Sequence, residues 1–151
     1  VILRSDRRGS STALGYVLSL GIAAVLISGL IVAGGGLMES QRDQSARTEL
    51  EVIGQTLAEE VTSAGRLADC PSCELRLRVD LPSRVAGGSY LIEVTDTADA
   101  GIHRLVLNTS VTGVTIRVRF RSRLPVAETS LAGGPVVIVY DSGTLEVRDA
   151  E

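Results

Sequence analysis

With 151 residues, 44% of them apolar but only 3% aromatic, the chain has room for one ordinary domain or for a small domain on a helical stem. Charge is divided along it: residues 1–38 carry Arg4, Arg7 and Arg8 against Asp6, a net +2, whereas residues 39–151 carry 12 arginines against 17 acids. A mildly acidic body argues against nucleic acid as the main partner, because phosphate binding needs a basic surplus.

The first element is a short basic leader, residues 1–9. No charged residue follows from Gly9 to Met38, and residues 13–38 read ALGYVLSLGIAAVLISGLIVAGGGLM. About 20 apolar residues suffice to cross roughly 30 Å of hydrocarbon, so residues 10–38 are expected to form a transmembrane helix. The apolar part of a cleaved secretory leader is usually about 7–15 residues, and this run is longer. A lipoprotein anchor would need a cysteine at its end, and none precedes Cys70. The basic head fixes the orientation: N-terminus cytoplasmic, C-terminal part extracellular. Gly15, Ser19 and Ala23 fall four residues apart, as do Gly29 and Ala33. Small residues at that interval let helix backbones approach closely, which makes these five candidate packing positions. Their bland reading is the general glycine richness of membrane helices.

The second element is a stem over residues 39–69. Leu50, Ile53, Leu57, Val61, Ala64 and Ala68 recur in steps of three and four, with polar and charged residues between them. That is the period of an amphipathic helix. No proline occurs before Pro71, so the helix is expected to run on from the membrane segment, with a bend allowed at Gly34-Gly35-Gly36.

A basic leader, a glycine, a small polar residue and then a long uncharged helix, RRGSSTALGYVLSL, resembles the processing site of archaeal type IV pilins. The chain as a whole resembles pilin-like membrane proteins of salt-loving archaea, in which such a helix is followed by a small β domain. The resemblance implies a cut by prepilin peptidase between Gly9 and Ser10, with the apolar helix retained in the mature protein. Two features depart from the family pattern. Thr12 stands where many archaeal pilins have proline, and Leu14 stands where bacterial pilins carry a glutamate.

From residue 70 onward the period changes to two, and residues 70–151 are expected to form an extracellular β domain. ELRLRVDL alternates Leu75, Leu77, Val79 and Leu81 with Arg76, Arg78 and Asp80, the pattern of a half-buried strand. SYLIEVTD and IHRLVLNT follow, separated by a turn at ADAG. VTIRVRFRSR sets Val114, Ile116, Val118 and Phe120 inward and Arg117, Arg119, Arg121 and Arg123 outward, read as a solvated face with Asp80 or Glu93 as cross-strand partners or, alternatively, as a contact surface for an acidic neighbour, another subunit or an acidic cell-surface layer. PVVIVYD and TLEVRD read as a hairpin around Asp141-Ser142-Gly143. The predicted fold class is α+β: one long N-terminal helix, then five to seven strands in a small antiparallel sheet or sandwich.

Chemistry-bearing residues are sparse. Cys70-Pro71-Ser72-Cys73 follows a helix and precedes a strand, the reverse of a thioredoxin-type redox context. Outside the cell the pair is expected to close a local disulfide, with two free thiols as the alternative. A zinc site needs about four ligands, and His103 is the only histidine. His103 is read as solvated or locally bonded, and Asp96, Asp99 and Asp141 as turn residues without calcium-loop spacing. Asn108-Thr109-Ser110 fits the N-glycosylation sequon. No cofactor, no metal and no catalytic set is expected.

Together these features predict a non-enzymatic, membrane-anchored pilin-like subunit of a surface filament or adhesive complex. Its expected partners are membrane lipid, other pilin-like subunits and prepilin peptidase. The alternative is a single-pass surface protein serving a membrane complex without polymerising.

Overall fold

The computed structural model describes residues 7–68, 74–111 and 113–150, with side chains from Ala13 onward. The fold is α+β. One helix, α1 (Arg7–Leu67), is followed by β1 (Leu75–Val79), β2 (Tyr90–Asp96), β3 (Ile102–Thr109), β4 (Thr115–Arg121), β5 (Thr129–Ala132), β6 (Val136–Asp141) and β7 (Thr144–Asp149). The chain divides into two units, Val1–Gln41 and Arg42–Glu151, and α1 contributes to both. The helix is uninterrupted through Gly34-Gly35-Gly36. Flanking good helix formers carry the backbone across these three residues despite a propensity cost of about 1 kcal/mol per glycine.

In the second unit the strands form two sheets. One has the order β1-β6-β7 and the other β4-β3-β2-β5, with every strand pair antiparallel. The period-two pattern dictates which residues go inside. On β3, His103, Leu105, Leu107 and Thr109 are buried and Arg104 and Asn108 exposed. On β4, Phe120 is buried and Ile116 and Val118 half-buried, while Arg117, Arg119 and Arg121 face solvent.

The stem half of α1, with Ala68 one residue past its end, completes the core. Leu50, Ile53, Leu57, Val61, Ala64 and Ala68 are all buried, in one cluster with Ile92, Leu105, Leu107, Ile138, Leu145 and Val147. Each fully buried leucine or valine contributes about 1.5–3 kcal/mol relative to exposure, so the three-and-four spacing is what fixes the stem to the sheets. Gly54 and Ala58 extend the same face with small residues. A Cβ built on Gly54 would lie 2.8 Å from Val118 Cγ2 and 3.1 Å from Leu107 Cδ1, so the helix backbone seats directly on the sheet there.

The last hairpin forms as its sequence requires. Asp141 pairs with Thr144, and the two loop residues, Ser142 and Gly143, have φ of 49° and 90°. Positive φ at both central positions is the type I′ geometry whose twist matches antiparallel strands.

Two expectations change. β5 has no counterpart among the strands read from sequence. TSLA is short and weakly apolar, and it becomes a strand because Leu91–Val94 of β2 offers it a partner. The carboxylates proposed for the β4 arginines also do not reach them. Asp80 lies just beyond the end of β1, a strand of the other sheet, and pairs with Arg78 at 3.0 Å. Glu93 is separated from Arg117 by Val106 of the intervening strand.

Candidate functional site

The first unit contains the longest uncharged apolar surface among the described residues. Every residue from Ala13 to Met38 is exposed, including Leu14, Val17, Leu18, Ile22, Leu26 and Ile31. The segment contains a window of 18 residues with mean hydropathy 2.4, none of it buried. An apolar surface of this extent is far larger than a soluble monomer exposes. The backbone polar groups are satisfied inside the helix, which hydrocarbon requires. Ser28 obeys the same rule, since its hydroxyl donates to the carbonyl of Ala24 at 2.8 Å. α1 therefore carries a single candidate membrane span.

The small residues singled out from the sequence lie on this span. Gly15, Ser19, Ala23, Gly29 and Ala33 are all exposed. A Cβ built on Gly15 or Gly29 would meet nothing within 4 Å. Gly9 and Ser10 are helical in backbone, and their side-chain surroundings lie outside the described residues, as do Cys70 and Cys73 entirely.

In the second unit the sites named from sequence disperse. Asn108 is exposed on β3, opposite Leu91 and Thr115. Ser110 of the same triplet is held by hydrogen bonding with Ser89 at 3.0 Å. His103 is buried rather than solvated. Its ring lies 5.5 Å from that of Phe120, and its Nδ1 sits 3.3 Å from Asp96 Oδ1, out of line for a hydrogen bond. Asp96 also accepts from the Thr97 amide at 2.8 Å, and Asp141 from the Ser142 hydroxyl at 2.9 Å, both turn roles. Among the described residues no three histidines, cysteines or acids come together as a metal site.

Contacts that periodicity does not signal join the stem to the strands and loops. Glu49 accepts a hydrogen bond from the Ala86 amide at 3.2 Å, fastening the tight turn in which Val85 and Gly88 exchange backbone bonds of 2.9 Å. The Thr62 hydroxyl shares its one hydrogen between the Ala58 carbonyl of its own helix at 2.7 Å and the Arg121 carbonyl at 3.2 Å. Tyr90 is buried and donates to the carbonyl of Pro82 at 2.6 Å. Burial pushes its phenol up to about 12, against a smaller lowering by the backbone at Gly134. Apart from the Thr62 bond within its own helix, each of these pairings joins residues distant in the chain or positioned by irregular backbone, so no local pattern reveals it.

The chain belongs to a family of unknown function, DUF7266, whose sequence profile matches residues 5–149. No curated protein and no solved structure gives a match to it.

Proposed function

We propose that this member of the DUF7266 family is a membrane-anchored, pilin-like subunit whose role is assembly rather than catalysis. The observation that carries the reading is the exposed, uncharged helix from Ala13 to Met38, on the same α1 that supplies the stem of a packed α+β head. Such a segment is stable only where apolar surroundings replace water, either lipid or the helices of neighbouring subunits. Moving from lipid into a helical bundle changes apolar burial little, so close packing at small residues must supply the specificity. Gly15, Ser19, Ala23, Gly29 and Ala33 are the positions proposed for that contact. Prepilin peptidase cleaves between Gly9 and Ser10 in this reading, with the basic leader cytoplasmic and the head outside the cell.

The test is mass spectrometry of the N-terminus of protein isolated from cells, together with its recovery in sheared filaments. The expected mature start is Ser10, and the expected location is a filament or pilin complex. A start beyond Met38 would overturn membrane retention. A start at Ser10 without filament recovery would leave a single-pass anchor that does not polymerise.

A further inference from the structure

β4 is an edge strand, and its backbone register determines which groups face outward. The Ser122 amide donates to Gly101 at 3.1 Å, and the Thr109 amide donates to Val114 at 3.0 Å. Antiparallel ladders alternate bonded and non-bonded pairs. The even-numbered residues from Val114 to Ser122 therefore bond to β3 and its flanks, and Thr115, Arg117, Arg119 and Arg121 aim their amides and carbonyls at the free edge. The Arg121 carbonyl lies 3.2 Å from the Thr62 hydroxyl of the stem, which it shares with the Ala58 carbonyl. The outward amides and carbonyls of Arg117 and Arg119 have no partner among the described residues.

Both sides of this edge are differentiated. Toward the stem runs a groove of about 450 Å³, lined by Gln55, Ala58, Glu59, Thr62, Arg66 and Phe120 among others. On the solvent face Arg117, Arg119 and Arg121 are exposed, and Arg119 lies directly opposite Arg104 of β3. Among the described residues none of these four arginines has a carboxylate within ion-pair distance; the arginines that do are Arg78 and Arg148. Like charges directly opposite each other destabilise a sheet, so this face carries a cost that an anionic neighbour would remove.

We infer that the free edge of β4 is a docking site for an extended acidic segment of a partner polypeptide, which adds there as a further strand. The backbone of Arg117 and Arg119 would supply the ladder. Successive side chains of the added strand point to opposite faces. One set would enter the groove beside Ala58 and Phe120, where small apolar groups fit. The other set would lie about 5 Å from Arg117 and Arg119, where aspartate or glutamate accepts from the guanidinium forks. The arginines also act as a filter. Charged edges repel neutral aggregating strands, and β4 of a second copy, or β1 with its exposed Arg76 and Arg78, would set arginine against arginine. The inference rests on the head alone and is independent of whether the protein forms filaments.

The probe is a short synthetic peptide alternating valine and glutamate, added to the full chain in non-ionic detergent micelles. Binding is read by fluorescence anisotropy and by amide hydrogen exchange. The expected result is saturable binding with slowed exchange at the Arg117 and Arg119 amides. Replacing glutamate by glutamine in the peptide, or Arg117 and Arg119 by glutamine in the protein, should weaken it about tenfold. N-methylating the peptide amides on its pairing edge should abolish it with the protein unaltered. No binding would overturn the inference. So would binding that survives N-methylation, or equal competition by a sulfated polysaccharide without amide protection, either of which would identify a general polyanion surface.

Discussion

The two stretches of α1 obey opposite packing rules. Leu26, in the span, is 63% exposed, and Leu57, in the stem, is fully buried. A side chain added at Gly29 would meet open space, whereas one added at Gly54 would strike Val118. One helix thus carries a stretch that is exposed from Ala13 to Met38 and a stretch whose apolar face is buried against its own pair of sheets. The lesson concerns glycine and leucine alike: helix propensity treats both stretches similarly, and tertiary contact decides what each residue costs or contributes.

Glycine is where the two stretches should diverge most. Gly54→Leu must displace Val118 or lift the helix from the sheet, and should destabilise the head by about 3 kcal/mol, the upper range for overpacking. Gly29→Leu should leave head stability within about 0.5 kcal/mol, as at sites without neighbours. Denaturant titration of both variants in micelles, followed by a probe in the head, measures the difference. Equal losses would show that the span contributes to the folding of the head.

A second effect separates the regions by pH. Tyr90 is neutral in the folded head up to about 12, whereas the unfolded chain ionises near the ordinary phenol value of 10.0. Below the lower value both states hold the proton and the contribution is complete. As pH rises from there towards the folded value, the unfolded state alone loses its proton and stability falls. The loss reaches at most roughly 3 kcal/mol, since each tenfold difference in proton affinity between the two states is worth about 1.4 kcal/mol. Tyr90→Phe should flatten that alkaline limb while lowering stability at neutral pH through loss of the bond to Pro82. An unchanged alkaline limb in the variant would assign the ionisation elsewhere.

A smaller effect is confined to the head. Ser142 adopts φ of 49° in a two-residue loop, a conformation that asparagine tolerates better. Ser142→Asn should stabilise the head by about 0.5 kcal/mol, read as a higher denaturation midpoint and within the range expected for relieving an unfavourable turn residue. A loss of stability would mean that the Ser142 hydroxyl bond to Asp141 matters more than the turn geometry.

Periodicity was enough to reveal much of this protein. The uncharged run before Glu39, the three-and-four spacing from Leu50 to Ala68, the alternation in β1 to β4 and the turn at Ser142-Gly143 are local patterns, and local backbone geometry converts each directly into an exposed or buried face. The rest came from tertiary contact. It gave TSLA a strand by offering it β2, buried His103 against Phe120, put β1 and β4 in different sheets and so parted Asp80 from the β4 arginines, and brought Glu49 and Thr62 of the stem to backbone groups far along the chain. Those outcomes depend on which elements become neighbours, and neighbour choice is set by the summed burial of the whole core rather than by any stretch of sequence read alone.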